Sequence, residues 1–463
     1  MPNLYPGILP PYRSGQRLLC LCAVFLLPLL VFAQPSISTV SPLSGPVGTT
    51  VTITGTNFSA TPSANIVRFG SVTAPVVSAG ATSLTVTVPN GASYQPITVT
   101  TGGLTAYYYN PFSTTFLDPG QFTASSFAAA ANTPTDLSPM SVVCMDFDGD
   151  GKSDLAVANG MYSVSVFRNA STVGAPVFVQ QYDSTQPGGF FPNYVAAGDL
   201  DGDGKPDLVM ANSWSNYLGV FQNTSTAGHI SMNELPQLPE GSGANWVTVG
   251  DCNGDGKPEI ACVNMGDNTV TLYTNTSTIG NISFGVQDTL LLASLPNPDL
   301  PWSATIADVD GDGMPDIVVA DWNNSLVSVF RNTGTRGGPL SFGANQTFVV
   351  GTNPEGIAVG DLDGDGLPEI ITANNTDNTV TILHNTSTSG NISLVRGTDQ
   401  PTGNSPTAVS VTDLDGDGRP DIAASLYGDN GVSVLRNTTT SGTISMATHV
   451  DYATGDAPMD IHI

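Results

Sequence analysis

Acidic nonapeptides occur six times in the chain: DFDGDGKSD from Asp146, DLDGDGKPD from Asp199, DCNGDGKPE from Asp251, DVDGDGMPD from Asp308, DLDGDGLPE from Asp361 and DLDGDGRPD from Asp413. Alternation in a tight loop turns the side-chain oxygens of positions 1, 3 and 5 inward, and position 9 adds a carboxylate. Glycines at positions 4 and 6 permit the φ values that wrap backbone around a hard cation. Calcium takes roughly six to eight oxygens in flexible geometry, so these side chains, the position-7 carbonyl and a water suffice. The candidate ligands of loop 1 are Asp146, Asp148, Asp150, Asp154 and the carbonyl of Lys152. Loop 2 offers Asp199, Asp201, Asp203, Asp207 and the Lys205 carbonyl; loop 3 offers Asp251, Asn253, Asp255, Glu259 and the Lys257 carbonyl. Loop 4 offers Asp308, Asp310, Asp312, Asp316 and the Met314 carbonyl; loop 5 offers Asp361, Asp363, Asp365, Glu369 and the Leu367 carbonyl. Loop 6 offers Asp413, Asp415, Asp417, Asp421 and the Arg419 carbonyl. The bland alternative is that Asp-Gly pairs simply make hairpin turns. Six copies in phase weigh against it, because gathering about four carboxylates without a cation costs heavily in repulsion.

The loops dominate the charge of the chain. They hold 23 of its 39 acids, four per loop less the one that Asn253 replaces, against 12 Lys plus Arg in 463 residues and a net charge of -27. That balance excludes nucleic acid and anionic membrane surfaces as partners, since both need a basic footprint, and it favours cations. With 50 Gly, 34 Pro and hydrophobics still at 40%, the composition describes turn-rich all-β structure rather than disorder. Cys144, Cys252 and Cys262 lie outside the N-terminal apolar run and have no zinc spacing. By repeat position they read as small core residues, with Cys252 at the outward-neutral second position of its loop; a Cys252–Cys262 bridge is the alternative.

The elements that position the loops repeat with them. Successive first aspartates are 53, 52, 57, 53 and 52 residues apart. A short apolar strand precedes each loop, such as Val247/Val249, and a second follows, such as DLAVAN or DIVVAD. A third alternates and ends in Asn, at Asn169, Asn275, Asn332, Asn385 and Asn437, and a fourth is expected near Asn281, Pro339, Asn391 and Thr443. Four strands per period of about 50 residues predict one antiparallel sheet per repeat and a ring of sheets, a β-propeller, over a linear solenoid. The segment preceding a loop occurs a seventh time, with Ile461-His462-Ile463 aligned on Ile357-Ala358-Val359. The expectation is six complete loop repeats plus the start of a seventh blade, truncated at the C-terminus, with exposed sheet edges prone to aggregation.

Upstream, Arg13 and Arg17 precede an apolar run of 15 residues, Leu18 to Phe32, followed by Ala33. The run is too short for a spanning helix and has the outline of a secretory signal over residues 1–33, cleaved after Ala33. Residues 35–111 alternate apolar with Thr or Ser at Val51/Ile53, Leu84/Val86/Val88 and Ile97/Val99, which predicts a small β-sandwich. The strings PSISTVSPLSGPVGTTVTITGTNFS, NIVRFG and QPITVTTGGLTA resemble the IPT/TIG family of immunoglobulin-like domains. That resemblance implies an accessory domain and carries over no catalytic residue.

The loops with their flanking strands, over residues 118–463, resemble FG-GAP/VCBS repeats, the family that includes the calcium-binding blades of the integrin α-subunit propeller. The resemblance implies Ca²⁺ at about six sites, with Asp146, Asp148, Asp150, Asp154 and the Lys152 carbonyl as the first ligand set. Asn253, Glu259 and Glu369 depart from its pattern. Joined to a signal and an IPT/TIG domain, it resembles bacterial surface proteins and implies secretion or surface display.

Catalytic signatures are missing: no G-x-S-x-G, H-E-x-x-H or Walker loop occurs, and nearly every paired acid already has a metal assignment. Hence the leading reading is a non-enzymatic adhesion or binding module for an extracellular protein or glycan, with no membrane insertion of the mature chain. A polysaccharide-active enzyme or its accessory domain, and a passive scaffold, are the alternatives. His384 aligns with Arg168 and Gln222 and is expected at a solvated strand position. Trp214, Trp246, Trp302 and Trp322 read as packing residues, with stacking on sugars as the alternative.

Overall fold

Alternation of Thr with Val and Ile builds the first domain of the chain. The computed structural model describes residues 34–463, except 116–121, 124, 129, 162, 173–175, 186–190, 215, 293–299 and 441, and Gln34–Ile463 forms one compact unit. The secretory-signal reading of residues 1–33 lies outside the described residues, and no described helix is long and apolar enough to cross a membrane. Strand Thr50–Thr56 buries every second residue, because successive side chains point to opposite faces of a sheet. It lies between Ser36–Ser41 and Ser83–Thr87, with Val76–Gly80 beyond; a second sheet orders Val72–Ala74, Ile66–Phe69, Ile97–Thr101 and Leu104–Tyr108. Val51, Ile53, Val67, Phe69, Leu84, Val86, Ile97 and Val99 fill the space between the sheets.

Six antiparallel sheets follow among the described residues, each running inner strand, acidic loop, second, third and outer strand. The inner strands of blades 1 to 6 are Pro139–Met145, Pro192–Gly198, Ala244–Gly250, Pro301–Ala307, Pro354–Gly360 and Pro406–Thr412. Neighbouring inner strands touch in succession, which is the arrangement of a propeller. The second strands, such as Glu259–Asn264 and Asp316–Asp321, are buried along their whole length. Period two divides each of them between two neighbours. Ile260 and Cys262 pack with Val209 and Ala211 of blade 2, whereas Ala261 and Val263 pack with Ile317 and Val319 of blade 4. A blade strand reads as a continuous apolar run because both of its faces are core.

Two expectations are corrected here. The fourth strands begin within the motifs at Asn281 and Asn391, as Phe284–Leu291 and Leu394–Arg396, but beyond those at Pro339 and Thr443, as Gln346–Val349 and Val450–Ala453. Thr278 bridges Asn281 and Thr440 bridges Thr443, so those motifs close tight turns. The second loop position is not outward and neutral. Phe147, Leu200, Cys252, Val309 and Leu362 are all buried, each anchoring its loop in a core between blades. Cys144, Cys252 and Cys262 are free thiols, without the bridge considered as an alternative.

Between blades 6 and 1 the chain returns as Ala457–Ile463. Ala457 has φ +49°, matching Asn353 and Ser405 at +56° and +53° before the inner strands of blades 5 and 6. Thr407 Oγ1 donates to Pro458 O over 3.1 Å, and the Val142 amide donates to Asp460 Oδ2 over 3.0 Å. The segment thus occupies the position of an inner strand.

Candidate metal centres

Each loop joins an inner strand to a second strand, so its first aspartate leaves one strand and its ninth residue opens the next. Backbone amides hold the carboxylates in a repeated pattern. The position-1 carboxylate accepts the amide of the position-6 glycine, at 3.1 Å for Asp146 and Gly151, 2.9 Å for Asp199 and Gly204, and 2.8 Å for Asp308 and Gly313. Position 3 accepts the amide of position 5, which accepts that of position 7; in loop 2 these are Asp201 with Asp203 (3.1 Å) and Asp203 with Lys205 (2.8 Å). The glycines at positions 4 and 6 all have positive φ, Gly202 at +73° and Gly204 at +89°. L side chains rarely adopt that backbone, which is why both are glycine.

The ninth residue is a clamp as well as a candidate ligand. Asp316 accepts the Val309 amide at 3.0 Å and the Asn332 amide at 2.7 Å, and Asp154, Asp207, Glu259, Glu369 and Asp421 make the same pair of bonds. It thereby ties the loop to the end of the third strand. Glu at this position in loops 3 and 5 reaches the same two amides, so Glu259 and Glu369 keep the clamp despite the longer side chain.

The geometry gathers Asp146, Asp148 and Asp154; Asp199, Asp201 and Asp203; Asp308, Asp310 and Asp316; and Asp361, Asp363 and Glu369, each group with oxygens within 4.8 Å of one another. Burial pushes these carboxyls above the ordinary range: Asp199 and Asp154 to about 7, Asp308 to about 6, Asp316 and Glu369 to about 8. In Glu259, burial acts with the nearby Asp251 and Asp255 charges to reach about 9. Removal from water is the largest cause in each, and the amide bonds oppose it. Asp146 Oδ1 and Asp199 Oδ1 are buried without any hydrogen-bond partner. A buried carboxylate oxygen with no donor is expensive, and a divalent cation satisfies it. The residues present therefore fit a hard cation.

Two partners escaped the sequence reading. The Asn that ends each third strand crosses to the preceding blade: Asn385 Nδ2 donates to Pro368 O of its own loop and to Val309 O of loop 4, both at 2.8 Å. Asn223, Asn275, Asn332 and Asn437 make the same two bonds. The recurrence of Asn was visible, but its partner in the neighbouring blade was not. Asn385→Ala leaves one buried and one half-buried carbonyl without this donor and is expected to cost about 1–3 kcal/mol, read as a lower urea midpoint at unchanged m.

The residue before that Asn faces the loop. Arg168 Nε lies 3.1 Å from Asp148, Arg331 Nε 2.6 Å from Asp310, and Arg436 pairs with Asp415. His384 is thus not simply a solvated strand residue, because its Nε2 lies 3.1 Å from Asp363 Oδ2. Loop 2 meets the neutral amide of Gln222 at 2.7 Å instead.

The aromatic residues divide. Trp246 stacks on Tyr194 and lines a cavity of about 650 Å³ between inner-strand residues such as Ile306 and Val409 and the first domain's Tyr94 and Tyr107, and Trp302 stacks on Trp322. Trp214 stacks on Phe191 and is 73% exposed.

Comparison with known families matches this loop-and-blade unit. The FG-GAP-like repeat matches residues 146–210, 199–262, 251–319, 308–372 and 362–424, and the IPT/TIG domain matches residues 35–123. The chain belongs to the FG-GAP-like repeat family. A search of curated proteins found no match. Among solved structures, this FG-GAP-like chain is similar to a 6-phosphogluconolactonase candidate from Bacteroides uniformis, at 16% identity over 80% of this chain and 95% of that one, TM-score 0.50. It is also similar to an auxiliary nutrient binding protein from Bacteroides thetaiotaomicron (14% identity, 85% and 98% coverage, TM-score 0.37). A lectin from Agrocybe aegerita that recognises non-reducing terminal N-acetylglucosamine is similar at 17% identity over 76% and 88%, TM-score 0.47. At such identities the likeness concerns fold alone.

Proposed function

We propose that this chain is an exported, calcium-loaded FG-GAP-like propeller that acts as a non-enzymatic binding module toward an extracellular protein or glycan, with an IPT/TIG domain at its N-terminus. The observation that carries the reading is the repeated gathering of carboxylates with buried, donor-free oxygens on Asp146 and Asp199. When bound, calcium supplies charge compensation and a fixed loop shape. The chain's own residues supply the cradle: positions 1, 3 and 5 offer oxygens, position 9 locks the cradle to the third strand, and the strand-end Asn joins one blade to the next. Loops that are rigid when loaded give a propeller the fixed surface that binding needs.

Titration calorimetry with metal analysis tests the calcium reading, and fewer than three bound Ca²⁺ defeats it. Asp203→Ala removes the position-5 oxygen of loop 2 alone, so its expected result is one site lost with the others still loading. A screen of glycans and extracellular proteins with and without EDTA tests the binding reading: saturable, EDTA-sensitive binding without turnover supports it, and turnover of a glycan overturns its non-enzymatic half. Export is tested by mass spectrometry of secreted material, which is expected to begin at or near Gln34.

A further inference from the structure

The immunoglobulin-like domain sits on the metal loops themselves. Arg68, on strand Ile66–Phe69, is buried and donates from Nη2 to Gly204 O of loop 2 at 2.8 Å. The Thr105 amide donates to Gly256 O of loop 3 at 2.8 Å, and Gln34 Nε2 bonds Gly254 O in the same loop. In loop 1 the Asp146 amide donates to Ser71 O at 3.0 Å, while Ser153 Oγ meets Ser71 Oγ at 2.8 Å. Close approach demands the loop glycines a second time, since a Cβ on Gly202 lies 2.1 Å from Gly103 O and one on Gly204 lies 2.2 Å from Ile66 Cδ1.

We propose that docking of this domain and cation loading of loops 1 to 3 are one linked equilibrium, with the domain seated when the loops are loaded and released when they are stripped. This rests on the calcium reading above. The docking partners are mostly backbone atoms of loop positions 1, 4 and 6, which stand where the domain needs them only while the loop is wound. Winding packs carboxylates within 4.8 Å of each other in loops 1 and 2; a cation relieves the repulsion, and without one the loop must take up protons or open. The Arg68 charge works against the coupling: burial disfavours it, Asp146, Asp199 and Asp203 partly offset that, and among the described residues it makes no ion pair. Loops 1 and 2 carry eight carboxylates, so two divalent cations leave a formal charge of about -4; loading weakens the attraction for Arg68 without reversing it, and the backbone bonds carry the coupling. By linkage, the seated domain must tighten calcium at these loops by the factor that calcium tightens the domain. A consequence is that the faces of loops 2 and 3 beneath the domain are reached by an outside partner only after the domain has left.

Hydrogen exchange on the full chain reads the seat directly, because the Thr105 amide is bonded across the interface. In calcium Thr105 is expected to be protected; chelation should speed its exchange at least tenfold while the central strand Thr50–Thr56 stays protected. Arg68→Gln loses the seat bond to Gly204 O and is expected to speed Thr105 exchange at least tenfold in the presence of calcium. Should that variant fail to fold, Leu104→Glu, which sets a carboxylate against loop 3, is expected to act alike. Calcium uptake without any change at Thr105 overturns the coupling alone. Absence of calcium uptake overturns the calcium reading and the coupling together.

Discussion

Chelation of divalent cations is expected to lower the melting temperature of the full chain by on the order of 10 °C. A ligand that binds only the folded state stabilises it by RT ln(1 + [L]/Kd). For a Kd near 10⁻⁴ M, as extracellular modules show, about 1 mM Ca²⁺ contributes roughly 1.4 kcal/mol per site. Six sites acting on one cooperative ring reach about 8 kcal/mol, which is comparable to the whole stability of an ordinary domain. Each kcal/mol moves the melt of a chain this large by about 1–1.5 °C. Cooperativity is expected because blades share cores and Asn latches, so opening one loop releases the carbonyl that its neighbour's Asn holds. Calorimetric scans in calcium and in EDTA measure the difference, and coincident melts would falsify the metal assignment.

Metal-free protein is expected to become less stable as pH rises from about 5 to about 8, whereas calcium-loaded protein is expected to keep nearly constant stability over the upper part of that interval. Asp154, Asp199, Asp251 and Asp421 are held up to about 7, Asp316 and Glu369 to about 8, and Glu259 to about 9. Without metal the folded state therefore keeps protons that the unfolded chain has released above its ordinary carboxyl range near 4. Stability falls with pH wherever the folded state binds more protons, by about 1.4 kcal/mol per pH unit for each such group. Calcium removes most of that slope because it binds the deprotonated loop and displaces those protons, so folded and unfolded states then hold nearly equal numbers. The two curves converge at the acidic end, where protons outcompete the cation. Urea midpoints at pH 5, 6.5 and 8, in calcium and in EDTA, distinguish this from an ordinary acidic protein, whose slope is the same with and without the chelator.

Spacing in the linear sequence determined a good deal. Alternating acids with two glycines specify a wound loop, since few other residues tolerate φ near +80° at positions 4 and 6. A period of about 50 residues with four apolar runs specifies one sheet per repeat. Both features arise within a single repeat, where local geometry is dictated by neighbours a few residues away. The tertiary structure decided what crosses between repeats. Cys252 and Leu200 look neutral along the chain, yet each is buried because a loop must be pinned in the seam between two blades. Asn385 looked like a strand end, yet its amide spans to a carbonyl 76 residues away. His384 looked solvated, but the end of the third strand folds back over the loop and brings it to Asp363. Arg68 gave no signal at all: an isolated arginine in an immunoglobulin-like strand becomes an interface cation only when a separate acidic face is laid against it. Contacts of that kind depend on how finished sheets pack, and burial and charge then select partners that no local pattern encodes.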